Sequence, residues 1–325
     1  MRNFIVVTSV FEPTEAIQSF ASNRNFTLIV VADRKTPLSW KLQGADFLSL
    51  ESQQKEAGKL SKLLPYNHYS RKMLGYLRAV RDGADFIIDT DDDIYPKPNF
   101  SFPAHDGYYD IISRKGFINP YQYFSKEMIW PRGFPLHQIS KVTDNNPPGK
   151  ASEVRVGVWQ GLSDKQPDVD AIFRLKHDRD FFFEKGPPIV LDRNTLSPFN
   201  SQNTCFRKAV FPLLYLPASV SFRFTDILRS YIAQPILWTH GFSLGFLEAN
   251  TIQHRNIHDA ADDFISEMPM YQHAGSISGI VQEIIAEKNS IGDNLFRSYE
   301  ALAREKITGE NELPILEAWL KECQA

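Results

Sequence analysis

Over the first ninety positions the apolar residues gather in short unbroken runs, separated by polar stretches with helical spacing. NFIVVTSV (3–10) and FTLIVVAD (26–33) are β-branched and almost wholly apolar, the pattern of strands buried on both faces. ADFLSL (45–50) is a weaker third strand and DFIID (85–89) a fourth. Between them, Thr14 or Pro13 opens a helix through Phe20. QKEAGKLSKLL (54–64) reads as helix and stops at Pro65. In YSRKMLGYLRAVRDGA (69–84), Met73, Leu74, Leu77 and Val80 recur at helical spacing, and Gly83 supplies the stop. Strands alternating with helices predict an α/β fold with a mostly parallel, doubly wound sheet.

From 95 to 150 the pattern changes. Pro96, Pro98, Pro103, Pro120, Pro131, Pro135, Pro147 and Pro148 predict long loops and short strands laid over the sheet. Strands resume at VRVGVWQG (154–161) and SLGFLEA (243–249). DILRSYIAQPILWTH (226–240) predicts a helix kinked or broken near Pro235. The tail is helical: Leu295, Phe296, Tyr299 and Leu302 share a face, and LPILEAWLKECQ (313–324) continues the pattern. No internal repeat stands out.

The chain of 325 residues is long enough for a sizeable core, and 42% hydrophobic with 23% charged residues is ordinary for a globular protein. A formal net charge of -3 favours neither nucleic acid nor an anionic membrane, and a local basic helix is all that speaks for nucleic acid. Cys205 and Cys323 make neither a metal-ligand spacing nor a disulfide framework. The N-terminus lacks the pattern of a signal peptide and no run reaches the length of a membrane span, so the expectation is a cytoplasmic protein.

The chemistry begins at FIIDTDDDIYP (86–96). Asp91, Asp92 and Asp93 follow a buried strand, at the end of the sheet where ligands bind in open α/β folds. An Asp-x-Asp there is a hard oxygen site suited to Mg²⁺ or Mn²⁺, held by one or two carboxylates plus substrate phosphates. In an extended segment Asp91 and Asp93 would face one ion, and Asp92 would turn away to a ribose hydroxyl or a backbone amide. A solvated acidic turn or a helix N-cap is the bland alternative. Arg71 and Lys72, on the helix one strand away, suit a diphosphate; a solvated basic face is the alternative there.

LIVVADRKTP, then LPYNHYSRKMLGYLRAVRDGADFIIDTDDD, resembles the STELLO family of glycosyltransferase-like proteins. The likeness continues in QGLSDKQPDVDAIFRL (160–175), SPFNSQNTCF (197–206), LPASVSFRFTDILRSYIAQPILW (216–238) and IQHRNIHD (252–259). More distantly the pattern is similar to reversibly glycosylated polypeptides, which are UDP-arabinopyranose mutases, and to GT-A transferases. The resemblance implies a GT-A-like, Rossmann-like domain over 1–260, with a nucleotide-binding half (1–95) and an acceptor half (96–260), and a helical extension over 261–325. It implies a nucleotide diphosphate sugar as donor, a UDP-sugar first, and a glycan or other hydroxyl compound as acceptor. Asp91 and Asp93 would hold Mn²⁺ or Mg²⁺. Thr8, Ser9 and Asp33 would lie near base and ribose, and Arg34, Lys35, Arg71 and Lys72 near the nucleotide or its phosphates.

In the second half, Arg223 and Asp226 stand where a helix begins. Asp226 is a candidate general base, with a first-turn structural acid as the alternative. Asp168 and Asp170 would bind sugar hydroxyls or the acceptor, or be loop acids. Asn200, Gln202 and Asn203 suit sugar hydroxyls and equally suit holding loops. QHRNIHD brings Arg255 toward the nucleotide and offers His258 as a metal ligand, with His240 and His254 behind it. Trp159, Trp238 and Tyr76 would stack on a sugar or base, or pack the core. A non-catalytic nucleotide-sugar scaffold and a nucleotide-sugar mutase are the competing functions. Phosphoryl transfer lacks a P-loop and a second acid cluster.

Overall fold

The computed structural model describes the chain except residues 142–147, 178, 256–258 and 324–325. The N-terminal half follows the apolar runs. β1 (Asn3–Ser9), β2 (Thr27–Ala32), β3 (Ala45–Leu48) and β4 (Phe86–Thr90) lie in the order β3-β2-β1-β4, all parallel. α1 (Glu15–Ala21) is capped by Thr14, whose hydroxyl accepts from the Ile17 N–H. The stretch before Pro65 is two short helices, α2 (Leu50–Glu56) and α3 (Gly58–Leu63). The helix expected over 69–84 is a 3₁₀ turn over Tyr69–Lys72 followed by α4 (Met73–Arg81). α4 lies directly on the sheet: a Cβ at Gly75 would stand 2.5 Å from side-chain carbons of both Val31 and Val6. Gly83, at φ +78, ends the helix in the left-handed region.

The second half adds antiparallel strands. β5 (Ile94–Pro96), β6 (Asp106–Ile112) and β7 (Gly116–Phe117) come from the proline-rich stretch. β8 (Ser152–Lys165) is longer than the sequence suggests. After α5 (Ala171–Lys176) come β9 (Ile189–Leu191), β10 (Thr195–Leu196), β11 (Asn203–Arg207), α6 (Thr225–Thr239) and β12 (Ser243–Gln253). β11 joins the halves, running antiparallel to both β4 and β8. β8 and β12 are parallel, and β5 pairs with the end of β12. The sheet is thus parallel around β1 and mixed beyond β4.

α6 is continuous through Pro235. Proline takes away the N–H that would reach the Tyr231 carbonyl. Ser278, on a later helix, donates its hydroxyl to that carbonyl at 3.2 Å and restores the bond. The four tail helices are α7 (Ala260–His273), α8 (Ile277–Ile284), α9 (Ile291–Arg304) and α10 (Glu312–Cys323). They share the main core: Trp319 of α10 is fully buried, edge-on to Tyr76 of α4 and tilted against Tyr215. Among the described residues no helix is long and apolar enough to cross a membrane.

Candidate active site

A cavity of about 460 Å³ opens at the carboxyl ends of β1, β2 and β4, within the size range of small-molecule sites. Thr8, Ser9, Asp33 and Lys35 line it from the first two strands, and Asn67, His68 and Tyr69 from the turn before α4. Asp91, Asp92 and Asp93 all face it. They are not extended: the chain turns there, with the Ile94 N–H reaching the Asp91 carbonyl at 3.4 Å. The alternation expected for an extended segment is therefore replaced by a turn that points all three acids inward. Its ends are fixed because β4 lies mid-sheet while β5 pairs with β12.

The turn is braced by charge. Asp91 Oδ1 accepts from the Tyr69 hydroxyl at 2.7 Å and from Lys72 Nζ at 2.9 Å. Lys72 Nζ also contacts Asp89 Oδ1 at 2.8 Å, and Asp89 Oδ2 contacts Arg229 Nη1 at 2.9 Å. Lys72 and Asp89 are fully buried, so the pairing is obligatory. Burial raises the Asp91 carboxyl above its usual range, against the pull of Lys72 and Tyr69. Burial pushes Asp92 up to about 6, although Ser9 Oγ donates to it at 2.6 Å. Asp93 accepts from Gln253 Nε2 at 3.1 Å.

These groups suit a divalent cation. Both contacts of Asp91 fall on Oδ1; Oδ2 accepts no hydrogen bond among the described residues, and the side chain is 29% exposed. The donors are hard carboxylate oxygens. Among the described residues no three His, Cys, Asp or Glu side chains converge as a ready ligand set, so phosphate oxygens would complete the coordination. His258, the expected third ligand, lies outside the described residues. His254 stacks edge-on to Tyr95, and His240 hydrogen-bonds Thr239 at the end of α6.

Several expected ligand contacts are taken up by the fold. Arg71 is fully buried. It donates to Gln53 Oε1 and to the Ser61 and Leu64 carbonyls, and lies over the Tyr66 ring, so it holds α2 and α3 and does not line the cavity. Lys72 stands behind Asp91 as a counter-ion. The Arg34 guanidinium lies over Tyr66 and is not part of the lining, unlike Lys35. Asp170 is buried as the N-cap of α5, accepting from the Phe173 N–H at 2.8 Å and Trp130 Nε1 at 2.6 Å; burial raises it to about 6. It faces protein on all sides, not the cavity. Asn203 binds Asn250 and Thr251, and Trp159, Trp238 and Tyr76 are core residues.

The opposite wall is organised by Arg132. Its Nε and Nη2 each donate to Asp168 at 2.8 Å, and Nη1 and Nη2 donate to Asp226 at 3.0 and 2.8 Å. Asp226 also accepts from the Ser201 and Ile227 N–H groups at 3.1 and 3.0 Å. Burial pushes Asp226 up, Arg132 outweighs it, and the carboxyl ends below its usual range. The Asp168 carboxylate accepts from Arg132 alone among the described residues. Arg223 pairs with Glu267 at 2.7 Å and Arg255 with Asp263, and both line the cavity. Arg132, Tyr69, Arg174 and Gln253 join the site without having been singled out in the sequence. Phe11 and Phe222, 48% and 54% exposed, also line the cavity.

The family model described as STELLO glycosyltransferases matches residues 223–325, a span that runs from the start of α6 through the tail. "Probable glycosyltransferase STELLO1" of Arabidopsis thaliana is 28% identical over 342 residues, covering 99% of this chain and 44% of that protein. "Probable glycosyltransferase STELLO2" of the same plant is 26% identical over 339 residues, covering 98% and 44%. The chain resembles the STELLO glycosyltransferases over almost its whole length. It spans less than half the length of these STELLO relatives. Among solved structures, glucosyl-3-phosphoglycerate synthase from Mycobacterium tuberculosis, in complex with Mn²⁺ and UDP-glucose, aligns over 84% of this chain and 79% of its own. The identity is 12% and the TM-score 0.40. A further structure of that enzyme aligns over 84% and 80%, at 11% identity and a TM-score of 0.37.

Proposed function

We propose that the protein is a glycosyltransferase that takes a sugar from a nucleotide diphosphate sugar, a UDP-sugar first, with a divalent metal at Asp91 and Asp93. The observation that carries this is the acidic turn: three carboxylates held toward one cavity at the carboxyl end of β4, with a free oxygen on Asp91. The likeness to proteins named glycosyltransferases supports the same reading. Asp91 and Asp93 would hold the ion, and a bound Mn²⁺ or Mg²⁺ would supply positive charge to the diphosphate.

The chain's own residues then divide the work. Thr8, Ser9 and Asp33 offer hydroxyl and carboxylate groups to base and ribose, and Lys35 offers a cation to phosphate. Lys72 fixes Asp91 and offsets the repulsion within the triplet. Asp168 and Asp226 face the acceptor. A carboxylate that accepts four hydrogen bonds, as Asp226 does, is a poor proton acceptor. We assign Asp226 to positioning, and proton transfer from the acceptor hydroxyl to Asp168, whose carboxylate has Arg132 as its only donor among the described residues.

The test is calorimetric titration with UDP, GDP and their sugar conjugates, with Mn²⁺ and then with chelator. Metal-dependent binding lost in Asp91→Ala and Asp93→Ala supports the site; no nucleotide binding in any condition sinks it. A second reading, a nucleotide-sugar binder without turnover, is favoured by the tie of both acceptor-side acids to Arg132. Release of UDP from the best-bound sugar nucleotide, followed over hours, separates the two.

A further inference from the structure

Among the described residues, Arg174 is the one arginine lining the cavity without a carboxylate partner. Arg223 and Arg255 have carboxylate partners, Glu267 and Asp263. Arg174 forms no ion pair among the described residues. Nη1 donates to the Gln166 side chain at 2.6 Å and Nη2 to the Pro167 carbonyl at 2.6 Å, both neutral acceptors. Its Nε is buried with no hydrogen-bond partner among the described residues. Burial, then the repulsion of Arg255 and Arg223, lowers Arg174 to about 10, with weaker opposing pulls from Asp168 and Asp263. Three guanidiniums on one wall therefore share two carboxylates. Arg255 donates only through Nη2, and Arg223 leaves Nη1 unbonded, among the described residues.

Arg174 is set off from the acidic turn by side-chain amides, whereas Arg255 follows His254, whose N–H donates to the Asp93 carbonyl at 3.1 Å. Gln253 Nε2 donates to Asp93, and Gln202 Nε2 donates to Gln253 Oε1 at 2.6 Å and to the Gln166 carbonyl at 3.2 Å. Gln166 in turn accepts from Arg174. A row of three amide side chains thus separates the turn from Arg174. A diphosphate on the acidic turn would leave Arg174 to another group.

We propose that Arg174, Arg223 and Arg255 form an oxyanion subsite on the acceptor side, so that the acceptor is a hydroxyl compound carrying a phosphate or carboxylate. Guanidinium forks with spare N–H groups match either oxyanion. The attraction for the anion is local, from the Arg174 guanidinium whose hydrogen-bond acceptors are both neutral. The proposal rests on the glycosyltransferase reading for its word acceptor, and on geometry for the subsite.

The experiment has two arms, both by calorimetry. The first titrates UDP with Mg²⁺ and tests the glycosyltransferase reading alone. The second titrates inorganic phosphate, and separately malonate, into protein saturated with UDP and Mg²⁺. The expected result is binding of at least one anion, weakened about tenfold in Arg174→Gln, with UDP affinity retained. The preferred anion tells phosphate from carboxylate. Arg174→Lys, which keeps a charge, recovers part of the binding and controls for folding. Anion binding that disappears once UDP is present places the anion on the donor's phosphate seat and overturns the proposal. So does absence of binding, or binding indifferent to Arg174→Gln. If UDP fails in the first arm, the glycosyltransferase reading falls and the assignment to an acceptor with it. Arg174-dependent anion binding to the UDP-free protein would still support the subsite, and its absence would overturn that too.

Discussion

Arg132 grips Asp226 end-on: Nη1 and Nη2 reach separate carboxylate oxygens at 3.0 and 2.8 Å, while Nε turns to Asp168. One buried cation thus compensates two buried anions from different parts of the chain. Removing it leaves the Asp168 carboxylate with no donor among the described residues and Asp226 with its two backbone N–H groups and the more distant Arg229. Arg132→Met is expected to cost about 3–5 kcal/mol, read as a lower urea midpoint. Arg132→Lys keeps the charge and loses the fork, so it should fall between the two. A midpoint unchanged in Arg132→Met would mean that the pair is no brace.

Asp168 and Asp226 separate by chemistry. Asp168→Asn should lower turnover by about 10²–10⁴-fold with nucleotide binding retained. Asp226→Asn should act first on stability, since an amide replaces an acceptor oxygen facing Arg132 and the Ser201 N–H. Turnover per folded molecule and the urea midpoint, measured on both variants, check the assignment. Loss of turnover in Asp226→Asn at full stability would reverse it.

His105 sets a pH dependence. Burial lowers it from 6.5 to about 4; Nδ1 contacts the Val156 carbonyl at 2.8 Å and the ring stacks on Phe86. The folded state keeps the ring neutral where the unfolded chain binds a proton. Its contribution is present above pH 6.5 and is lost as pH falls toward 4, about 3 kcal/mol in all. His105→Leu should lose less stability between pH 7 and pH 4 than the parent by about that amount, measured by urea unfolding at each pH.

Gly75 marks a contact too close for any side chain. Gly75→Ala gains helix propensity, about 1 kcal/mol, but drives a methyl against Val6 and Val31. Overpacking costs about 1–3 kcal/mol, so a net loss of stability is expected in thermal melts. A gain would show that α4 shifts freely on the sheet.

The parallel half was legible because its strands are uninterrupted apolar runs and α4 has a clean helical face. The acids at the end of β4 were legible for the same reason: a buried strand tells where its carboxyl end lies. Their inward-facing turn was not, since it depends on β5 pairing with β12, about 160 residues on by the chain numbering. Arg132 sits in WPRGFP, where prolines erase periodicity and nothing marks its partners 36 and 94 residues away. Arg71 and Lys72 look like surface cations by residue type. Their acceptors, Gln53 and Asp89, lie on other elements, and only folding brings them together. Pro235 suggested a kink because Ser278, which completes the helix, is 47 residues from the Tyr231 carbonyl that it bonds.

Every residue of α6 from Thr225 to Trp238 is buried. A helix enclosed on all sides acts as a strut, fixed along its length by whatever walls it in. α8 and α9 form one of those walls, and Ser278 is pinned to the Tyr231 carbonyl. Asp226 rides on the first turn of the same strut, in the lining of the cavity. The aim of the Asp226 wall is therefore set partly from the tail, and a substitution in the α6–α8 seam would be felt at a carboxylate that it never touches.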